Sequence, residues 1–221
     1  MTRDEPPVSP QIKNLSSKDI EKGQKLFSKE LKFKIGLKSQ QEIPIKNIAE
    51  IAFAGRSNVG KSSLINTLTF QKKIARVSKK PGSTRQINFF EIDNLLSLID
   101  LPGYGFAKAS KSDQFQWSQL IEDYLINRPS LCRIFLLIDS RRGIKESDKS
   151  FMSFLEKFAI VFEIIVTKID KIDNQSSMNL LTEIEKINSS FTTAFPRVIL
   201  TSTKNGKGIE TLRAEIAKLI D

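Results

Sequence analysis

Apolar and polar residues alternate strictly through Leu31-Lys-Phe-Lys-Ile-Gly-Leu-Lys38, which predicts a strand with one buried face. Its polar face carries Lys32, Lys34 and Lys38, which suits an edge strand because lysine discourages edge-to-edge pairing. Ahead of it, residues 1–18 are polar and proline-rich and read as a tail. The expected division is a flexible N-terminal extension over 1–28 and a single domain over 29–221. From residue 49 short apolar runs alternate with helical segments. Glu50–Gly55 reads as a buried strand and Lys61–Phe70 as a helix. Ile87–Ile92 and Leu95–Asp100 read as two strands meeting at Asp93-Asn94, a natural tight turn.

Phe115, Trp117, Ile121, Tyr124 and Leu125 recur at near-helical spacing before Pro129, with Ser110 placed to cap against Asp113. Arg133–Asp139, Ile160–Thr167 and Arg197–Thr201 are strand-like, whereas Ser147–Phe158, Ser176–Ile187 and Gly208–Ile220 are helical. Strands alternating with helices predict an α/β fold. Its sheet is mainly parallel and flanked by helices on both faces, with an antiparallel strand pair toward one edge. Such sheets bind ligands at the carboxyl ends of their strands.

Composition narrows the chemistry. Among 221 residues there is no histidine and one cysteine, Cys132. That excludes serine–histidine triads, histidine bases, internal disulfides and thiolate zinc clusters. No apolar run is long enough to span a bilayer, and the start lacks the apolar core of an export signal, so the expected compartment is the cytoplasm. The formal net charge of +10 fits either a polyanionic partner or a lysine-rich composition.

The chemistry concentrates at strand ends. Gly55-Arg-Ser-Asn-Val-Gly-Lys-Ser62 fits G-x-x-x-x-G-K-[ST] between a predicted strand and a helix. Its glycines allow the backbone to wrap phosphate, Lys61 supplies a cation, and the Ser62 hydroxyl is a Mg²⁺ ligand. Asp100-Leu-Pro-Gly103 ends an apolar strand, where Asp100 can hold Mg²⁺ through a water and the Gly103 amide can sense a γ-phosphate. Thr167-Lys-Ile-Asp170 offers a carboxylate for guanine N1–H and N2–H, with the Lys168 stem lying across the base. Thr201-Ser-Thr-Lys204 follows the next strand and places a backbone amide for the guanine carbonyl. Between the first two motifs, Lys79-Lys-Pro-Gly-Ser-Thr-Arg85 contains Thr84, the choice for a switch threonine that closes on Mg²⁺ and the γ-phosphate.

In this order the motifs resemble a translation-factor-class GTPase of the P-loop NTPase fold. In detail they are similar to the EngB family of bacterial ribosome-assembly GTPases, within the TrmE-Era-EngA-EngB-Septin-like class. The likeness rests on Gly55–Asn66, Pro81–Thr84, Asp100–Ala107, Asp139-Ser-Arg-Arg-Gly143 and Thr167–Asp170. It implies Mg²⁺-dependent hydrolysis of GTP to GDP and phosphate, with Lys61, Thr84 and Gly103 at the reaction. The nucleotide contacts it implies are Gly55, Arg56, Ser57, Asn58, Val59, Gly60, Lys61, Ser62 and Ser63; Gly82, Ser83, Thr84, Arg85 and Gln86; Asp100, Leu101, Pro102 and Gly103; Thr167, Lys168, Ile169 and Asp170; and Thr201, Ser202 and Thr203. Metal contacts would be Ser62 and Thr84, Asp100 through water, and Asn58 toward K⁺. The implied partner is the large ribosomal subunit, its RNA and its proteins, with a role in its assembly and hence in growth and division, for a chain acting as a monomer. A GTP-dependent switch acting on a protein or membrane partner stays open beside it.

Tyr104 follows Gly103, where Ras-like GTPases carry a glutamine that orients water, so unassisted hydrolysis is expected to be slow, on the order of 10⁻⁴–10⁻² s⁻¹. Lys72, Lys73, Arg76, Lys79, Lys80 and Arg85 form an acid-free basic run beside the expected switch, suited to phosphate backbones.

Overall fold

Residues 15–37, 48–71, 74, 86–104, 111–126 and 128–220 are described by the structure, a computed structural model, without the side chains of 111–114 and 117. The elements run α1 (Ser17–Phe27), β1 (Leu31–Leu37), β2 (Ala49–Gly55), α2 (Lys61–Leu68), β3 (Ile87–Ile92), β4 (Leu96–Asp100) and α3 (Lys111–Ile126). They continue with β5 (Leu131–Asp139), α4 (Glu146–Lys157), β6 (Phe162–Thr167), α5 (Asn174–Asn188), β7 (Ala194–Leu200) and α6 (Ile209–Ala217). The strands form one sheet in the order β1-β3-β4-β2-β5-β6-β7. β1, β3 and β4 pair antiparallel, and every pairing from β4 through β2 to β7 is parallel.

β1 is the edge strand its lysines announced. Asp93 and Asn94 both take positive φ, 48° and 54°, as a two-residue turn between β3 and β4 demands. Alternation along β2 builds both core layers at once. Ile51 and Phe53 face α1, α2 and α6, whereas Ala52 and Ala54 face α3, α4 and α5. The predicted helices covering both faces are therefore present, with boundaries shifted by a few residues.

The N-terminal extension differs from its expectation. Residues 17–27 form a helix that belongs to the core rather than a flexible tail. Ser16 and Asp19 cap it reciprocally, the Asp19 amide donating to Ser16 Oγ at 3.2 Å and the Ser16 amide to Asp19 Oδ2 at 2.9 Å. Leu26 and Phe27 are buried in the layer shared with α6. Gly23 lets the helices close up, since a Cβ there would lie 2.5 Å from the Ala214 nitrogen. Its buried face carries Gly23, Leu26 and Phe27 within an otherwise polar sequence. Residues 1–14, Lys38, the basic run, the 79–85 loop and Ser110 lie outside the described residues, as do the side chains of Asp113 and Trp117.

Glu163, the one charge inside the apolar run of β6, is fully buried. It accepts from Arg133 Nη1 at 2.7 Å and from Arg197 Nε at 2.9 Å, and Arg197 Nη1 also pairs with Glu215 at 2.5 Å. Both guanidiniums lie over the Phe195 ring, at 3.9 and 5.1 Å. Burial raises the Glu163 carboxyl above its ordinary range, and the two arginines oppose that rise. Removing the carboxylate strands the Arg133 cation and leaves Arg197 with Glu215 alone, so Glu163→Ala is expected to lower unfolding free energy by about 3 kcal/mol. Urea denaturation measures it.

Candidate nucleotide-binding site

Four segments meet at the carboxyl ends of β2, β4, β6 and β7. The loop from Gly55 to Gly60 leads into α2, whose N-cap Gly60 has φ 108° and makes no side-chain cap. Thus no capping side chain competes for the first amides of α2, which face the loop as an anion cradle. Lys61 Nζ donates to Asp100 Oδ1, with both side chains nearly buried. Asp100 Oδ2 accepts from Asn88 Nδ2 at 3.3 Å, and Asn88 Oδ1 accepts from Gln86 Nε2 at 2.8 Å. Gln86 therefore reaches the site through Asn88 and Asp100.

The segment after Asp100 is stitched to the phosphate loop. The Leu101 amide donates to Phe53 O at 3.1 Å, the Ser57 amide to Tyr104 O at 3.3 Å, and the Tyr104 amide to Gly55 O at 3.4 Å. Gly103 sits so close that a Cβ would lie 3.1 Å from Ser57 Oγ and 3.3 Å from Ser57 N. The Tyr104 side chain turns away from the loop, stacking on Phe151 at 5.0 Å and donating to Asp148 Oδ1 at 2.8 Å.

On the other side, Lys168 takes φ 60° and its ammonium donates to Asn58 O at 2.6 Å and to Asp139 Oδ2 at 2.8 Å. Thr167 Oγ1 donates to Val59 O at 2.7 Å. The lysine is thus pinned between the phosphate loop and β5. Arg141 holds Asp139 bidentately, at 2.9 and 2.7 Å. Burial alone would raise the Asp139 carboxyl, but its bonds from Arg141 and Lys168 outweigh that and hold it well below the ordinary range. Asp170 is lowered chiefly by Ser202, whose hydroxyl donates to Oδ1 at 2.6 Å. Asp170 Oδ2 has no hydrogen-bond donor among the described residues. The Thr201 amide donates to Val166 O and the Ser202 amide to Lys207 O, whereas the Thr203 amide has no backbone acceptor among the described residues.

Residues 50–168 match a family model described as "50S ribosome-binding GTPase". The probable GTP-binding protein EngB of Gluconobacter oxydans is 46% identical over 199 residues, covering 90% of this chain and 88% of that protein. Its counterpart in Rhodospirillum rubrum is 44% identical over 209 residues, covering 92% and 90%. The chain belongs to the EngB family of GTP-binding proteins. It is a GTPase by that membership, with a P-loop fold. A solved structure of a probable GTP-binding protein EngB superposes with a TM-score of 0.60 at 34% identity, over 78% of this chain and 98% of the other. Era, solved with MgGDPNP and a segment of 16S ribosomal RNA, gives a TM-score of 0.61 at 26% identity, over 79% of this chain and 57% of that one.

Within this EngB-family chain the structure brings together the expected Gly55–Ser63, Asp100–Gly103, Thr167–Asp170 and Thr201–Thr203 segments. Gly82, Ser83, Thr84 and Arg85 lie outside the described residues. Sequence reasoning passed over Asp139 as the partner of Lys168, although a carboxylate ending a central parallel strand is placed by topology at the ligand edge. It also passed over Ser202 as the residue that orients Asp170, and over Asp148. No helix of the described residues is long and apolar enough to cross a membrane.

Proposed function

We propose that this GTPase acts in assembly of the large ribosomal subunit, binding it in the GTP state and leaving after hydrolysis. The family description "50S ribosome-binding GTPase" carries the reading, and the net charge of +10 supports an RNA-rich partner. In this reading the loop amides and Lys61 hold the β- and γ-phosphates, and Gly103 reports the γ-phosphate. Asp170 accepts from guanine N1–H and N2–H, the pinned Lys168 stem covers the base, and the Thr203 amide meets the guanine carbonyl.

The donor set suits Mg²⁺. Ser62 and Asp100 offer hard oxygens, and the described residues contain no cluster of three or more carboxylate, cysteine or histidine side chains. A cation here must take most of its ligands from nucleotide and water, as Mg²⁺ does. Ser62, Asp100 through water, and Thr84 would hold it, and it would neutralise charge on the phosphates. In the same reading Asn58, exposed in the phosphate loop, would help bind K⁺, and hydrolysis faster in KCl than in NaCl at equal ionic strength is the expected result.

Co-sedimentation with purified ribosomal subunits tests the main proposal. Binding to the large subunit with a non-hydrolysable GTP analogue, weaker with GDP and falling steeply with salt, is expected. Absence of binding to either subunit in both states would overturn it and turn attention to protein or membrane partners.

A further inference from the structure

One buried carboxylate joins three segments that the nucleotide site needs in register. Asp148, in the first turn of α4, is fully buried. Its Oδ1 accepts from the Tyr104 hydroxyl at 2.8 Å, and its Oδ2 accepts from the Lys145 amide at 2.8 Å. Arg56, the second residue of the phosphate loop, brings Nε to 3.3 Å from the same Oδ2. Tyr104 is held a second time, its ring stacked on Phe151 of α4. The backbone beside it is bonded to Gly55 and Ser57, so displacement of Tyr104 would move Gly103 relative to the loop.

We propose that Asp148 is a positioning residue for γ-phosphate recognition. By holding Arg56 and Tyr104 together it fixes Gly103 against the phosphate loop, and it makes the start of α4 the element that follows the nucleotide state. The proposal rests on the reading of Gly103 as the γ-phosphate sensor. It gives Tyr104 a role that the glutamine of Ras-like GTPases does not have. The ring is turned into the core and its hydroxyl is committed to Asp148, so it sets the position of the neighbouring peptide and leaves the attacking water alone.

The carboxylate is well chosen for this work. Burial raises Asp148 above the ordinary carboxyl range, against the Lys145 amide, the tyrosine hydroxyl, Arg56 and Lys145. Tyr104 is raised by burial first and by Asp148 second, so it stays protonated and donates. A single acceptor group therefore receives donors from the phosphate loop, from Tyr104 after β4 and from the start of α4. Loss of the carboxylate leaves all three without their common anchor, whereas loss of one donor uncouples that segment from the other two.

The test compares affinities for a fluorescent GDP and a fluorescent non-hydrolysable GTP analogue, with Mg²⁺, in the full chain. Tyr104→Phe keeps the ring on Phe151 and removes only the hydroxyl. Asp148→Asn keeps an acceptor for the helix cap and removes the charge facing Arg56. Each is expected to lower the ratio of analogue to GDP affinity by about fivefold, the scale of one lost hydrogen bond. Gly103→Ala, whose methyl would press on Ser57, should lower that ratio as well. Thermal melting of each variant reports folding separately. A lower melting temperature with an unchanged ratio in both latch variants would make Asp148 purely structural and overturn the proposal, while a lowered ratio in Gly103→Ala would leave the Gly103 reading intact. An unchanged ratio in Gly103→Ala as well would overturn the Gly103 reading, and the latch with it.

Discussion

Asp170→Asn is expected to reverse the base preference of this GTPase from guanine to xanthine. The side chain lies at the end of β6 with its two oxygens in different situations. Oδ1 is fixed by the Ser202 hydroxyl, and Oδ2 has no donor among the described residues. Guanine presents two parallel N–H donors, and an ionised carboxylate presents two acceptors to match. The Ser202 bond also lowers the Asp170 carboxyl, so it is ionised at every pH above the ordinary carboxylate range. An asparagine puts an N–H donor where one of those acceptors must be. Xanthine carries a carbonyl in place of the exocyclic amine and fits that donor. A polar mismatch in a site built for hydrogen bonding changes discrimination on the order of 10⁴-fold. Titration with GDP and XDP measures the ratio. Unchanged GDP affinity would mean that the base lies elsewhere.

Much of this site was readable because its parts are local. The phosphate loop, the Asp100–Gly103 turn and Thr167–Asp170 are each a few residues long, and each follows an apolar strand. A parallel sheet then brings strand ends to one edge whatever the loops between them do. The charge partners inside the site are another matter. Lys168 is pinned by Asp139, 29 residues away, and Asp148 reaches Tyr104 across 44. In sequence Asp148 stands three, four and seven residues before Phe151, Met152 and Leu155, on the face that packs inward, but only the fold shows which groups it meets. Helix α1 was hidden for a similar reason. Its inward stripe includes a glycine, which registers as a break in sequence and as close contact with α6 in the fold. Glu163 shows the reverse case, a charge that seemed to interrupt β6 and is in fact satisfied by arginines of β5 and β7.

Lys61→Ala should remove tight nucleotide binding. The Lys61 ammonium is paired with Asp100, with side-chain exposures of 11% and 5%. With nucleotide bound, Lys61 would turn from Asp100 to phosphate oxygens, and Asp100 would hold Mg²⁺ through water. Alanine removes the attraction and also leaves the Asp100 carboxylate facing phosphates with, among the described residues, only the Asn88 side-chain amide donating to it. Truncating one partner of a desolvated charge pair is worth several kcal/mol, so GDP affinity should fall on the order of 10³-fold. The two contributions can be separated. Lys61→Ala combined with Asp100→Asn removes the stranded anion, and should bind GDP more tightly than Lys61→Ala alone in the absence of Mg²⁺, while hydrolysis stays absent. That non-additivity is the mark of two groups acting as a pair. Equal affinity in the single and double variants would show that Asp100 does not oppose the phosphates, and retained hydrolysis in Lys61→Ala would overturn the assignment of the phosphate loop itself.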